Sequence, residues 1–221
     1  MLKVWGRRNA FNVQKVLWLV GELGLAHEHI NAGGSFAGLD SPDFLAMNPH
    51  GRIPVIDDDG TIVWESHGII RYLSARYSSG ALWATTPSER SFADRWMDWS
   101  LATLQPDFMR LFWGYYRTPE GQRDLAAVAA ATQRCASAYQ LLDQHLETHR
   151  YLAGDRLTMG DIPAGTSLYR YFSLDVARPA LPHIEAWYGR LKQRSAYRRH
   201  GSSRPGRPNG CVSAACRSWS C

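Results

Sequence analysis

The chain has 221 residues, of which 45% are hydrophobic, 20% charged and 12% aromatic, with a formal net charge of +5. That composition excludes disordered, collagen-like and coiled-coil chains, and predicts a globular protein whose core needs no disulfide staples. The charge does not mark a nucleic-acid footprint: Arg204, Arg207 and Arg217 stand in a terminal stretch without an acid, and elsewhere bases are interspersed with acids, as in Glu89-Arg90 and Asp94-Arg95, where a nucleic acid would require a stripe of one sign. No apolar run approaches the about 20 residues that cross a bilayer, and Met1–Arg8 lacks the apolar stretch of a secretion signal. The expectation is a cytoplasmic protein with neither a membrane nor a nucleic-acid partner.

In chain order, Lys3-Val4-Trp5 reads as a strand, and Val13, Val16, Leu17, Val20 and Leu23 recur at helical spacing. Glu28-His29-Ile30 is a second strand. Ser41 and Pro42 are the N-cap and first residue of a short helix. Ile53-Pro54-Val55-Ile56 and Thr61-Ile62-Val63-Trp64 flank Asp59-Gly60, the strongest short-range signal for a hairpin. Ser66 then caps a helix carrying Ile69, Ile70 and Leu73. This order predicts a four-stranded mixed sheet with covering helices over residues 1–80.

From residue 81 the strand signals stop. Thr86-Pro87-Ser88-Glu89 is a capping box opening a helix that buries Phe92, Trp96 and Trp99, and Pro106 should bend or interrupt it. Thr118-Pro119-Glu120 opens the next helix, with an inward line of Leu125, Val128, Thr132, Cys135, Tyr139, Leu142 and Leu146. Thr158 and Asp161 form a reciprocal capping box, and a last helix lies near His183–Gln193. Residues 81–200 are thus expected to be an all-α bundle. Residues 201–221, rich in Gly, Pro, Ser and Arg, are expected to be disordered. Cys135 reads as a small core residue. Cys211, Cys216 and Cys221 lack the paired spacing and fourth ligand of a zinc site, so no metal is expected.

The chemistry concentrates in Asn48-Pro49-His50-Gly51-Arg52-Ile53-Pro54-Val55 and Trp64-Glu65-Ser66. A cis bond before Pro54 would turn the Ile53 N–H and C=O outward, where an extended peptide-like ligand adds itself as a strand. Ser66 at a helix N-terminus favours a carboxylate, and Glu65 beside it an ammonium. Glutathione carries all three groups.

With these motifs in place, residues 1–200 resemble a cytosolic glutathione transferase of the bacterial theta/beta-like kind. Asn48-Pro49, Ile53-Pro54 and Trp64-Glu65-Ser66 are similar to its glutathione-site motif, and Leu157-Thr158-Met159-Gly160-Asp161-Ile162 to its structural capping box and staple. The resemblance implies a thioredoxin-like α/β domain followed by an all-α domain, and a homodimer. It also implies glutathione as co-substrate, held through Arg52, Ile53, Pro54, Glu65 and Ser66, with no metal. A hydrophobic electrophile would bind against Phe11, Phe108, Phe112, Trp113, Tyr115 and Tyr116, and Asp94 and Asp98 would reach across the dimer. The implied reaction is attack of the glutathione thiolate on the electrophile. Glutathione-dependent isomerisation or peroxide reduction, and non-catalytic binding of glutathione or a hydrophobe, stand as alternatives.

The sequence departs from the family at the sulfur. Theta- and delta-like members place a serine, and beta-like members a cysteine, where this chain has Ala10 or, by a second alignment, Asn9. The donors left to stabilise the thiolate are the Asn12 amide, the Asn9 amide and the helix N-terminus itself. Asn12 is placed at or near the N-cap, either donating to sulfur or serving only as a cap. Gly51 stands where relatives can carry a histidine, and Leu39 where some carry a polar contact. Arg7 and Arg8 offer positive potential.

Overall fold

The computed structural model describes residues 1–201. β1 (Leu2–Trp5), α1 (Phe11–Glu22) and β2 (His27–Ile30) form a parallel crossover; α2 (Pro42–Met47) follows, then the hairpin of β3 (Val55–Asp58) and β4 (Thr61–Trp64), then α3 (Ser66–Tyr77). The sheet runs β2-β1-β3-β4, with β1 parallel to β2 and antiparallel to β3. It is the four-stranded mixed sheet expected. The hairpin turns on Asp59 (φ 50°) and Gly60 (φ 93°), the pair of left-handed residues whose twist matches the strands and which Asp-Gly supplies. Asp58, buried at the end of β3, accepts from the Tyr72 and Tyr77 hydroxyls at 2.8 Å each and so fastens the sheet to α3.

Helices alone follow: α4 (Pro87–Trp99), α5 (Gln105–Phe112), α6 (Leu125–Leu146), α7 (Asp161–Ser173) and α8 (Pro182–Gln193). Pro106 does interrupt the chain's first long helix. A π-helical turn over Ser100–Leu104 separates α4 from α5, widening the backbone where proline has no N–H to give. The packing hub is α1, on which every residue from Val13 to Val20 is buried. Its Trp18 ring meets Tyr197 at 4.7 Å. Gly165 on α7 permits that approach, since a Cβ there would lie 2.9 Å from the indole. At the other end of α1, Glu22 takes a two-pronged grip from Arg194 at 2.9 and 2.7 Å. The helical part is thereby built onto the back of the sheet layer, which fixes the aromatic residues of α5 relative to the start of α1.

Several local expectations are corrected. α6 starts at Leu125 under an Asp124 cap, which accepts from Ala127 N at 2.9 Å. Thr118 is consumed instead in closing the preceding π-helical turn, Trp113–Arg117, where both its N–H and its hydroxyl donate to the Trp113 carbonyl. Leu125 is consequently exposed, while Cys135, Tyr139, Leu142 and Leu146 are buried as expected. Phe92 is also exposed, because α4 turns Ala93, Trp96 and Met97 inward. In the Thr158–Asp161 box, the carboxylate accepts from Thr158 N (2.8 Å) and also from Leu152 N (3.0 Å). The Asp161 N–H donates to the Thr158 carbonyl, not to its hydroxyl, which itself donates to the carboxylate. Asp94 and Asp98 both bind Arg71 of their own chain, at 2.7 and 2.5 Å. Gly201 completes a terminal π-helical turn, Tyr197–Gly201. The rest of the segment expected to be disordered, with Cys211, Cys216 and Cys221, lies outside the described residues. Among the described residues no helix is long and apolar enough to cross a membrane.

Candidate functional site at two bare helix ends

An α-helix begins with N–H groups that its own turns cannot satisfy. Most of the helices here satisfy them from within the protein. Ser41 caps α2, Thr86 caps α4 and Asp124 caps α6; Asp143 reaches from α6 to accept the Ile184 N–H of α8 at 2.7 Å. On α7 the Asp161 and Ile162 N–H groups find the carbonyls of Thr158 and Met159. α1 and α3 differ. Their N-cap positions, Ala10 and Glu65, make no side-chain cap. Among the described residues nothing accepts from Phe11, Asn12 and Val13 N–H, or from Ser66, His67 and Gly68 N–H. Ser66 is therefore not the N-cap expected but the first helical residue, because Glu65 takes a left-handed φ of 67° and its carbonyl accepts the Ile69 N–H. A left-handed non-glycine residue costs about 1–2 kcal/mol, and here it stands the Glu65 side chain out beside three open N–H groups, while Ser66 is buried.

The two bare ends belong to one site. Gly6, after β1, touches both Val13 of α1 and Ile53: a Cβ on it would lie 2.5 Å from the former and 3.2 Å from the latter. Lys15 of α1 lies 3.1 Å from His67 of α3, Nζ to Nε2. Ile53 precedes Pro54 across a cis peptide bond, and among the described residues neither its N–H nor its C=O has a hydrogen-bond partner. Asn48 fixes the approach to it, donating through Nδ2 to the Arg52 carbonyl at 2.8 Å and accepting the His50 N–H at 3.1 Å. The Arg52 side chain itself is exposed. Gly51 has φ 58°, and a Cβ would meet the Leu39 carbonyl at 3.1 Å; this is why the loop holds glycine there. Alongside runs a cavity of about 400 Å³ walled by Gly33, Gly34, Gly38, Leu39, His50 and Gly51.

At the start of α1, Asn12 is the second helical residue and not the cap, since Ala10 holds the extended cap conformation (φ −75°, ψ 133°) and its carbonyl accepts from Gln14 N. The Oδ1 atoms of Asn9 and Asn12 are both buried, without a partner among the described residues. Of the residues expected to wall an apolar pocket, Phe11 contacts Phe108 (ring centroids 5.4 Å apart) and Phe112 stacks on Tyr116 (5.1 Å). Trp113 is not drawn into that group: it is 55% exposed, with Arg117 over its ring.

Two buried cations were missed at the sequence level. Lys15, 1% exposed, places Nζ between His67 and Gln105 Oε1 (2.5 Å) and 4.6 Å from the Phe11 ring centre. Burial pushes its pKa down to about 7 against the pull of the Glu65 carboxylate, and burial likewise holds His67 neutral. Arg170 of α7, 2% exposed, donates through Nη2 to the Asn9 carbonyl at 2.9 Å. A signal existed for Lys15, a charged residue inside the apolar stripe Val13, Val16 and Leu17. Arg170, in a run of aromatic residues, gave none.

Comparison with known proteins identifies the family. The family model for the glutathione S-transferase N-terminal domain matches residues 7–81, and that for the C-terminal domain residues 104–195. Glutathione S-transferase GstB of Escherichia coli K12 is 39% identical over 201 residues, covering 90% of this chain and 97% of that protein. Glutathione S-transferase 3 of Zea mays is 29% identical over 213 residues, with 90% and 92% covered. Among solved structures, the theta class glutathione S-transferase of Xanthomonas axonopodis pv. citri with glutathione bound superposes with a TM-score of 0.89 at 44% identity, covering 93% of this chain and 99% of that one. With the mixed sheet, the helical part built onto it and the cis-proline loop all in place, the chain belongs to the glutathione S-transferase family.

Proposed function

We propose that this transferase conjugates the thiolate of glutathione to an apolar electrophile. Residues 1–80 hold glutathione and residues 81–200 supply the acceptor wall. The observation that carries the assignment is the juxtaposition of the unpaired Ile53 N–H and C=O with the bare N-terminus of α3. An extended peptide pairs with Ile53 as an added strand. The γ-glutamyl carboxylate then meets the open N–H groups of Ser66, His67 and Gly68 and the Ser66 hydroxyl, and its ammonium meets Glu65. Pro54 and Arg52 shape the loop that presents Ile53. The sulfur lies at the start of α1, where three N–H groups and the helix dipole favour thiolate over thiol and the Nδ2 groups of Asn12 and Asn9 donate to it. The thiol proton leaves to solvent, a carbon–sulfur bond forms, and the leaving group departs with its electron pair. Phe11, Phe112 and Tyr116 contribute apolar contact, with Trp113 at the rim. The protein acts mainly by proximity and by a field favourable to sulfur.

Calorimetric titration with glutathione, together with turnover of a chlorodinitrobenzene, tests this reading. Binding and turnover that both depend on Glu65 support it, and a protein that neither binds glutathione nor changes in Glu65→Ala refutes it. Ala10 favours a second reading, a glutathione-binding protein without turnover, which predicts binding with no conjugate formed. We assign the working form as a cytoplasmic homodimer, for which light scattering on the purified protein gives the mass.

A further inference from the structure

We propose that the acceptor site is built for electrophiles that carry an anionic group, a carboxylate or sulfonate on an aromatic body, seated between Arg170 and Arg117. The inference rests on the transferase reading and specifies its second substrate.

Arg170 and Arg7 stand beside the start of α1, and Arg117, over the Trp113 ring, lies within Coulombic reach of both. Arg170 sits between the Phe11 and Phe112 rings, its Cζ 5.3 and 5.6 Å from their centres, which places it within the apolar wall itself. Among the described residues only one Nη2 N–H is spent, on the Asn9 carbonyl; Nε and Nη1 are buried with no acceptor. Burial depresses the pKa of Arg170 and that of Arg7, in the loop before α1, and the charge of Arg117, exposed at the end of the π-helical turn after α5, adds to the effect on both. Arg7 in turn packs against the Gly33–Gly34 backbone. None of the three is in an ion pair among the described residues.

Elsewhere the protein does pair its arginines: Arg71 with Asp94 and Asp98, Arg76 with Asp58, Arg134 with Asp107, and Arg194 with Glu22. Gathering like charges and burying one of them without a counter-ion is unfavourable. The two aromatic rings offset a part of that through their faces, but they offer no lone pair to the two idle donors. A planar anion does. A carboxylate accepts the second Nη2 N–H together with the neighbouring Nε or Nη1 N–H, the parallel pair on one edge of the guanidinium, while the aromatic body that bears it stacks on Phe11, Phe112 and Tyr116. Arg117 at the mouth attracts the same charge from solution. The pull of these arginines also stabilises negative charge that develops on the ring during attack by sulfur.

The test uses a chlorodinitrobenzoate and its neutral methyl ester, with each kcat/KM divided by the uncatalysed rate of the same compound with glutathione. The expected result is a preference for the acid of roughly tenfold or more, which corresponds to about 1.4 kcal/mol. In Arg117→Gln and Arg170→Met the acid-to-ester ratio falls towards one, chiefly through KM for the acid. Arg117 is exposed, so its variant decides the matter even where Arg170→Met fails to fold. Equal or better use of the ester by the wild type overturns the proposal and leaves the transferase reading standing. So does an Arg117→Gln variant whose defect lies in KM for glutathione, which would assign the arginines to a carboxylate of glutathione. Conjugation of neither compound, with no binding of glutathione, overturns both.

Discussion

The N-termini of α7 and α1 stand at opposite extremes. At α7 the Asp161 side chain is wholly buried and accepts from two backbone N–H groups and a hydroxyl, joining the segment before the helix to its first turn. At α1 the cap is an alanine, and among the described residues two asparagine oxygens lie buried without donors and three N–H groups find no acceptor. One end is closed by the protein's own atoms and the other is left for a ligand to close. On the proposed reading, the difference separates what holds the fold from what would hold the substrate. A buried carboxylate with all its partners present serves the first, and open donors on a packed helix serve the second, because the buried run from Val13 to Val20 holds α1 and its dipole in place.

Breaking the closed end should have the largest effect. Asp161→Ala leaves the Leu152 and Thr158 N–H groups unpaired in the interior, and we expect a loss of about 3 kcal/mol in denaturant unfolding. The affinity of the remaining folded protein for glutathione should be unchanged; a fall in affinity without a fall in stability would place Asp161 with the site instead. Next comes the open end of α3. Glu65→Ala removes the proposed partner of the ligand's ammonium, so the dissociation constant for glutathione should rise by about 2 kcal/mol, roughly 30-fold. The melting temperature should hold, since alanine still leaves the left-handed φ of position 65 to be met and glycine alone relieves it. An unaltered constant by calorimetry would remove Glu65 from the site.

How much of this was legible beforehand follows from the range over which each interaction acts. The hairpin, the Ser41 and Thr86 caps and the Pro106 interruption depend on neighbours a few residues apart, and the sequence carries them. The cis Ile53-Pro54 bond and the Glu65-Ser66 pair were readable because a loop and a helix start each have their own local pattern. The rotation of α4, which exposes Phe92 in favour of Ala93, was not, since spacing alone fits either side of a helix with aromatic residues at both. Thr118 misled because its side chain and N–H serve the turn behind it and not the helix ahead. The cluster of Lys15, His67 and Gln105 joins three helices, and Arg170 meets Asn9 across 161 positions of chain. No local pattern encodes such contacts.

The open end of α1 can be sharpened by restoring what it lacks. Ala10→Ser adds a hydroxyl at the cap, and the thiol of bound glutathione, followed by thiolate absorbance, should then titrate about one unit lower, some tenfold more thiolate below its pKa. Asn12→Ala should raise it by about half a unit. If neither shifts the titration, the sulfur does not lie at this helix.

The smallest effect links the two bare ends. Lys15 titrates near 7 because burial disfavours its charge, and while protonated it draws on the Glu65 carboxylate. Above that pH the lysine is neutral, and Glu65 is left to act on the ligand's ammonium alone. Affinity for S-methylglutathione, which has no thiol to titrate, should therefore tighten by roughly twofold between pH 6 and 8. Stability has the same sign: between about 7 and the ordinary 10.5 the unfolded chain holds a proton that the folded chain has lost, so the contribution of Lys15 to folding grows as pH rises through that window. Lys15→Met should flatten both slopes together. A variant that flattens the stability slope but not the binding slope would show that the lysine joins α1 to α3 without its charge reaching the ligand.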